Sequence, residues 1–415
     1  MSAKMPLVLQ VEIDPQDAGF DPNRLARIDR NYQRYVDEGK LPGFLAVIAR
    51  DGKVVHVAKG GLRDVEAGTA VEADTLFRIY SMTKPITSVA AMMLWEEGAF
   101  ELKDEVARFI PAFADARVWS GGSQQKPMTV PAAEPVRLWH LLTHTSGLAY
   151  GFAYAHPVDG IYRDHGFEFG APEGMDLAAS VDVWARLPLL FEPGTEWNYG
   201  VSTDVLGRVV EVASGQPFEA FLDEHVLGPL GMDETAWWVD EPDLDRLATL
   251  YMRGPDGGLA ANMALGEEVT RPPVLHAGGG GLVSTVGDYH RFTQMLLRGG
   301  ELDGVRLLGP RTVAYMTRNH LPGGADMETI GRPIFAESAY RGVGFGLGFS
   351  TVVDAVVGKV LTSPGEFAWG GVASTAFYVD PAEDVTAMFF TQFLPSSTYP
   401  IRPRLRALVA QALVD

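Results

Sequence analysis

The 415-residue chain has no cysteine, which excludes a disulfide scaffold, a thiol nucleophile and thiolate metal sites together. Positive charge is also scarce: 34 Lys and Arg stand against 53 Asp and Glu, a formal balance of −19. A surface this acidic repels phosphate backbones and anionic lipid, so neither nucleic acid nor a membrane is expected as a partner. No run approaches the roughly 18 apolar residues of a membrane span. The apolar stretch near the start is short, broken by Gln10, Glu12 and Asp14, and no small-residue cleavage site follows it. The expected location is therefore cytoplasmic. Gly-x-Ser-x-Gly is missing, which removes the α/β-hydrolase nucleophile elbow. Neither Gly-x-x-x-x-Gly-Lys nor a Rossmann fingerprint stands at a strand–helix junction.

What is present is apolar material: 47% of residues are hydrophobic and 10% aromatic, enough for large cores. At about 150 residues per domain, the length suggests two or three domains. Asp21-Pro22 reads as an N-cap and first helical residue, opening a helix to about Glu38. Gly43 to Ala58 alternates around Asp51-Gly52, a two-residue hairpin signal. Near the other end, Phe345–Val353, Glu366–Tyr378 and Val385–Phe393 read as strands, and Arg402–Leu413 as an amphipathic helix. Helical patterns and Gly/Pro-rich loops lie between. The expected fold is α/β plus all-α: residues 1–100 with 331–415 form one antiparallel sheet flanked by N- and C-terminal helices, and 101–330 form an inserted, mostly helical lobe.

The strongest chemical pattern is Ser81-Met82-Thr83-Lys84. Ile86, Val89, Ala90, Met93 and Leu94 follow at helical spacing until Gly98, which puts Ser81 and Lys84 on one face at the start of a buried helix. The positive helix end and burial favour an uncharged amine there, the kind of base a serine hydroxyl needs to become a nucleophile. Backbone N–H groups at the same end can face an oxyanion. Sixteen serines and eight lysines predict roughly 0.3 chance matches to Ser-x-x-Lys, and the chain has two. The second, Ser123 to Lys126, lacks an apolar continuation and is expected to be a polar loop. Tyr199 lies on a tight turn before a helical stretch through Leu206, Val209, Val210 and Ala213. In Trp369-Gly370-Gly371, two glycines weaken a strand unless something approaches its backbone closely. Tyr150 to Phe169 is aromatic enough to pack as a lid or pocket wall. His140 and His144 have a spacing that suits zinc but lack an adjoining Glu, so no metal is expected.

In this order and spacing, the three elements resemble the serine β-lactamase and penicillin-binding-protein superfamily, and more narrowly the family VIII carboxylesterases. The resemblance extends over Leu141–Leu148, Pro193–Thr195, Gly278–Thr285, Gly344–Phe349 and Trp369–Gly371. It implies a β-lactamase-like fold, with Ser81 as nucleophile and Lys84 and Tyr199 moving its proton. The N–H groups of Ser81 and Val372 would form the oxyanion hole. Trp369, Gly370, Gly371, Tyr150 and Phe152 would border the substrate, and no cofactor is needed. The superfamily's Lys-Thr-Gly strand is replaced by Trp369-Gly370-Gly371, and its Tyr-x-Asn by Tyr199-Gly200-Val201. Both changes exchange polar anchors for apolar ones. A small neutral ester of short to medium chain length is the expected substrate; acyl transfer to an alcohol, or weak β-lactam hydrolysis, are the alternatives.

Overall fold

The computed structural model describes residues 7–332 and 340–414. The Asp21 carboxylate accepts hydrogen bonds from the N–H groups of Asn23 and Arg24, and Pro22 fills the first helical position. The expected helix is divided at Ala26 and resumes as α1 (Arg27–Asp37). β1 (Gly43–Arg50) and β2 (Lys53–Asp64) pair antiparallel through Asp51-Gly52. Both turn residues have positive φ, 50° and 76°, the backbone twist that a two-residue hairpin demands. β3 (Thr69–Ala70) extends this edge.

The C-terminal part supplies β4 (Val343–Phe345), β5 (Ser350–Val352), β6 (Phe367–Gly370), β7 (Ala376–Asp380) and β8 (Val385–Phe390). Two expected strands are in fact hairpins. Phe345–Val353 reverses between Phe345 and Ser350, and Glu366–Tyr378 reverses between Gly370 and Ala376. Alternation of side chains cannot reveal such reversals, because both arms keep the same period. All eight strands form one antiparallel sheet in the order β4-β5-β6-β7-β8-β1-β2-β3. β1 beside β8 joins the two chain ends, as the sequence implied.

Successive β1 residues enter different cores. Phe44, Ala46 and Ile48 pack with Ile28 and Tyr32 of α1 and with Ile401 and Leu405 near the C-terminus. Leu45 and Val47 pack on the other face with Ile86 and Val89. Burial of both faces explains why the strand is apolar almost throughout. On that second face lies α2 (Thr83–Glu96), with α3 (Ser202–Ser214) against it. The segment 101–330 also contains a hairpin, Arg117–Ser123 with Lys126–Pro131, so the second Ser-x-x-Lys forms a hairpin end rather than a loop. α4 (Val286–Leu297) returns to the sheet, its Tyr289 ring 5.2 Å from that of Phe377. α5 (Ile401–Ala410) closes the fold beside α1. Among the described residues, no helix is long and apolar enough to cross a membrane.

Candidate active site

Ser81 occupies a 3-10 turn (Tyr80–Met82) that runs directly into α2. Tyr80, immediately before it, has φ of 44°, a left-handed conformation that costs a non-glycine residue roughly 1 kcal/mol. That strain is concentrated beside Ser81. Burial also pushes the Tyr80 phenol up to about 12.

One turn on, Lys84 is only 1% exposed. Its Nζ lies within hydrogen-bond reach of three oxygens, Ser81 Oγ at 3.3 Å, Tyr150 Oη at 2.9 Å and the Gly279 carbonyl at 2.5 Å. It also lies 4.5 Å from the centre of the Tyr199 ring. The i, i+3 spacing thus does what the sequence suggested, but the amine has more partners than local sequence can reveal. Gly279 belongs to the four-glycine run Gly278–Gly281, and its N–H donates to Asp204 Oδ1 at 2.8 Å. A Cβ on Gly279 would stand 2.5 Å from the Asp204 carboxylate, so a side chain there would displace the carbonyl facing Lys84. Burial raises the Asp204 carboxyl, while the Lys84 charge opposes that shift.

Tyr199 lies on the turn before α3, separated from it by Gly200 and Val201, and its hydroxyl accepts from Trp369 Nε1 at 3.1 Å. Its ring is flanked by His144 at 4.9 Å, Tyr150 at 5.6 Å and Trp369 at 5.3 Å. His144 is buried, and desolvation, helped by Lys84, pushes it well below the usual histidine range, so it stays neutral. His140 is lowered to about 3 by burial and accepts from the Arg137 N–H, so both histidines are packing elements. Among the described residues, no group of three or more His, Asp or Glu could hold a metal ion.

Trp369 and Gly370 end β6, and Gly371 opens the turn that leads to Val372. The close approach anticipated at the paired glycines comes from protein backbone and an arginine. A Cβ on Gly371 would lie 2.5 Å from the Ile79 carbonyl, and one on Gly370 would lie 2.5 Å from the Arg402 guanidinium. Arg402 donates to the Gly371 carbonyl at 2.8 Å, which anchors the turn. The segments carrying the Val372 and Ser81 N–H groups are thereby held together.

Tyr150 is half-buried, with its hydroxyl beside Lys84 Nζ. Its ring stacks on Phe152 at 4.6 Å, and Phe152 on Phe169 at 5.8 Å, so a ladder of rings runs from Lys84 to Phe169, which is 60% exposed. Asp204 and the Gly279 carbonyl were not identified as site residues from sequence. The glycine run was a usable signal for the second; Asp204 had none, since its partners lie far away in the chain.

The Beta-lactamase family profile matches residues 28–411, and the chain belongs to that family. Protein Rv1367c of Mycobacterium tuberculosis is 37% identical over 363 residues, covering 86% of this chain and 88% of that protein. Esterase EstB of Burkholderia gladioli is 31% identical over 400 residues, covering 91% and 93%. Among solved structures, EstCE1, a hydrolase with promiscuous acyltransferase activity, aligns with a TM-score of 0.78 at 28% identity, covering 94% of this chain and 98% of that one.

Proposed function

We infer that the chain is a serine carboxylesterase of the family VIII type, hydrolysing short- to medium-chain esters through an acyl-enzyme on Ser81. The observation that carries this reading is the buried Lys84 amine within hydrogen-bond reach of the Ser81 hydroxyl. Ser81 Oγ forms a bond to the acyl carbon as its proton passes to Lys84 Nζ. The C–O bond to the alcohol then breaks, and the departing alkoxide takes a proton. Tyr199 is the donor assigned to that step: its oxygen already accepts from Trp369, which leaves its own hydrogen for the leaving group. Water adds to the acyl carbon and gives its proton to the Tyr199 oxygen; the bond to Ser81 Oγ then breaks, Oγ takes back the proton held by Lys84, and the acid is released. The Ser81 and Val372 N–H groups hold the oxyanion in both halves.

Trp369, Gly370 and Gly371 border the ester, with Phe152 lining the apolar side. The lack of a lysine at the start of the Trp369 strand disfavours an anionic lactam. Acyl transfer is the second reading, favoured by the described activity of EstCE1. Nitrophenyl esters from acetate to decanoate, assayed beside a chromogenic cephalosporin and with added alcohol acceptor, separate these. Ester turnover lost in Ser81→Ala, Lys84→Ala and Tyr199→Phe supports the main reading. Full activity in any one removes that residue from the mechanism. The reading includes a cytoplasmic location, which cell fractionation tests.

A further inference from the structure

We propose that Tyr150 is a positioning residue for the base, fixing Lys84 so that its lone pair faces Ser81, rather than a wall that merely fits the substrate. The proposal rests on the esterase reading above. To accept the Ser81 proton the amine must present two N–H groups and one lone pair, and Lys84 Nζ has three oxygen neighbours among which to divide them. The Gly279 carbonyl can only accept, so at 2.5 Å it takes one N–H. The remaining N–H and the lone pair are divided between Tyr150 Oη at 2.9 Å and Ser81 Oγ at 3.3 Å. When the phenol oxygen accepts the second N–H, the lone pair is left to the serine hydroxyl, whose proton it must take.

The surroundings favour that division. Burial raises the Tyr150 phenol well above its ordinary range, and Asp204 and Tyr199 add to the shift, so the phenol stays neutral. Its ring is clamped between Phe152 at 4.6 Å and Tyr199 at 5.6 Å, which fixes where the oxygen stands. Tyr199 meets Lys84 through its ring face and commits its oxygen to Trp369. The two phenols therefore have separate work: Tyr150 orients the base, and Tyr199 serves the leaving group.

Tyr150→Phe tests this, because it removes one oxygen and keeps both ring contacts. Three quantities are read on the full chain: the rate of Ser81 labelling by a fluorophosphonate, and kcat and KM on nitrophenyl butyrate and on ethyl butyrate. A misdirected base slows labelling and lowers kcat on both esters alike by about tenfold or more, with KM and chain-length preference unchanged. Tyr199→Phe, by contrast, loses more on the ethyl ester, whose alkoxide needs a proton. Labelling by Tyr150→Phe at the wild-type rate, with only KM or chain-length preference altered, overturns the proposal. If Tyr150→Phe melts far below wild type, Tyr150→His restores an acceptor: recovered labelling supports the proposal, and none counts against it. A wild-type protein that is not labelled at Ser81 would instead sink the esterase reading itself.

Discussion

Replacing Gly371 by alanine should damage catalysis far more than a methyl group suggests. The added Cβ would stand 2.3 Å from Thr375 Oγ1 and 2.5 Å from the Ile79 carbonyl. Thr375 is fully buried and has little room to turn away. Ile79 O is backbone, two residues before Ser81, and the same turn is tied down by Gly371 N–H to Thr375 O at 2.9 Å and by Arg402. Relief therefore requires the turn to move by about 0.5 Å or more, carrying the Val372 N–H with it. Overpacking of this kind costs roughly 1–3 kcal/mol of stability. Misplacing one oxyanion donor costs about 100-fold in kcat, since the bond matters most when the oxygen carries charge. The assay is kcat and KM on nitrophenyl butyrate, with thermal melting on the same preparation. A large fall in kcat at nearly constant KM is expected. Wild-type kcat together with an unchanged melting temperature would refute the packing argument and the oxyanion assignment it serves.

Three further outcomes follow from the same structure. Asp288 is raised to about 6 by burial, from an ordinary 3.8, so the folded state binds its proton in a window where the unfolded state does not. Its contribution to stability is therefore lost as pH rises through about 4 to 6, and the stability of Asp288→Asn relative to wild type should climb by about 3 kcal/mol across that window in denaturant titrations. A pH-independent difference would reject the shift. Ser123→Ala should leave ester turnover unchanged, because Ser123 and Lys126 close an exposed hairpin; lost activity would reopen the second Ser-x-x-Lys. Phe169→Ala should lower kcat/KM several-fold for longer acyl or alcohol chains while sparing acetate, and an unchanged chain-length profile would detach the ring ladder from the substrate.

Ser81 and Lys84 were readable in the sequence because their relationship is local: three residues apart on an apolar helix. The hairpin at Asp51-Gly52 was readable for the same reason. Tyr199 was visible only as a turn before a helix, and its place beside Lys84 required the family resemblance. The roles of Tyr150 and Asp204 escaped because they depend on Lys84 Nζ and Gly279 N, which are 66 and 75 residues away respectively. Aromatic density suggested a pocket wall at Tyr150; the hydrogen bond to Lys84 is invisible to composition. The reversal at Gly371 was hidden by strand alternation, although the paired glycines did mark a close approach. What approaches there includes the Ile79 carbonyl and the Arg402 side chain.

The central claim is that one serine becomes covalently acylated. Rapid acid quenching during turnover of a nitrophenyl ester, followed by peptide mass mapping, tests it most directly. The account predicts the acyl mass on the peptide containing Ser81, absent from Ser81→Ala and slow to appear in Lys84→Ala. An acyl group on another residue, or turnover that persists in Ser81→Ala, would contradict it.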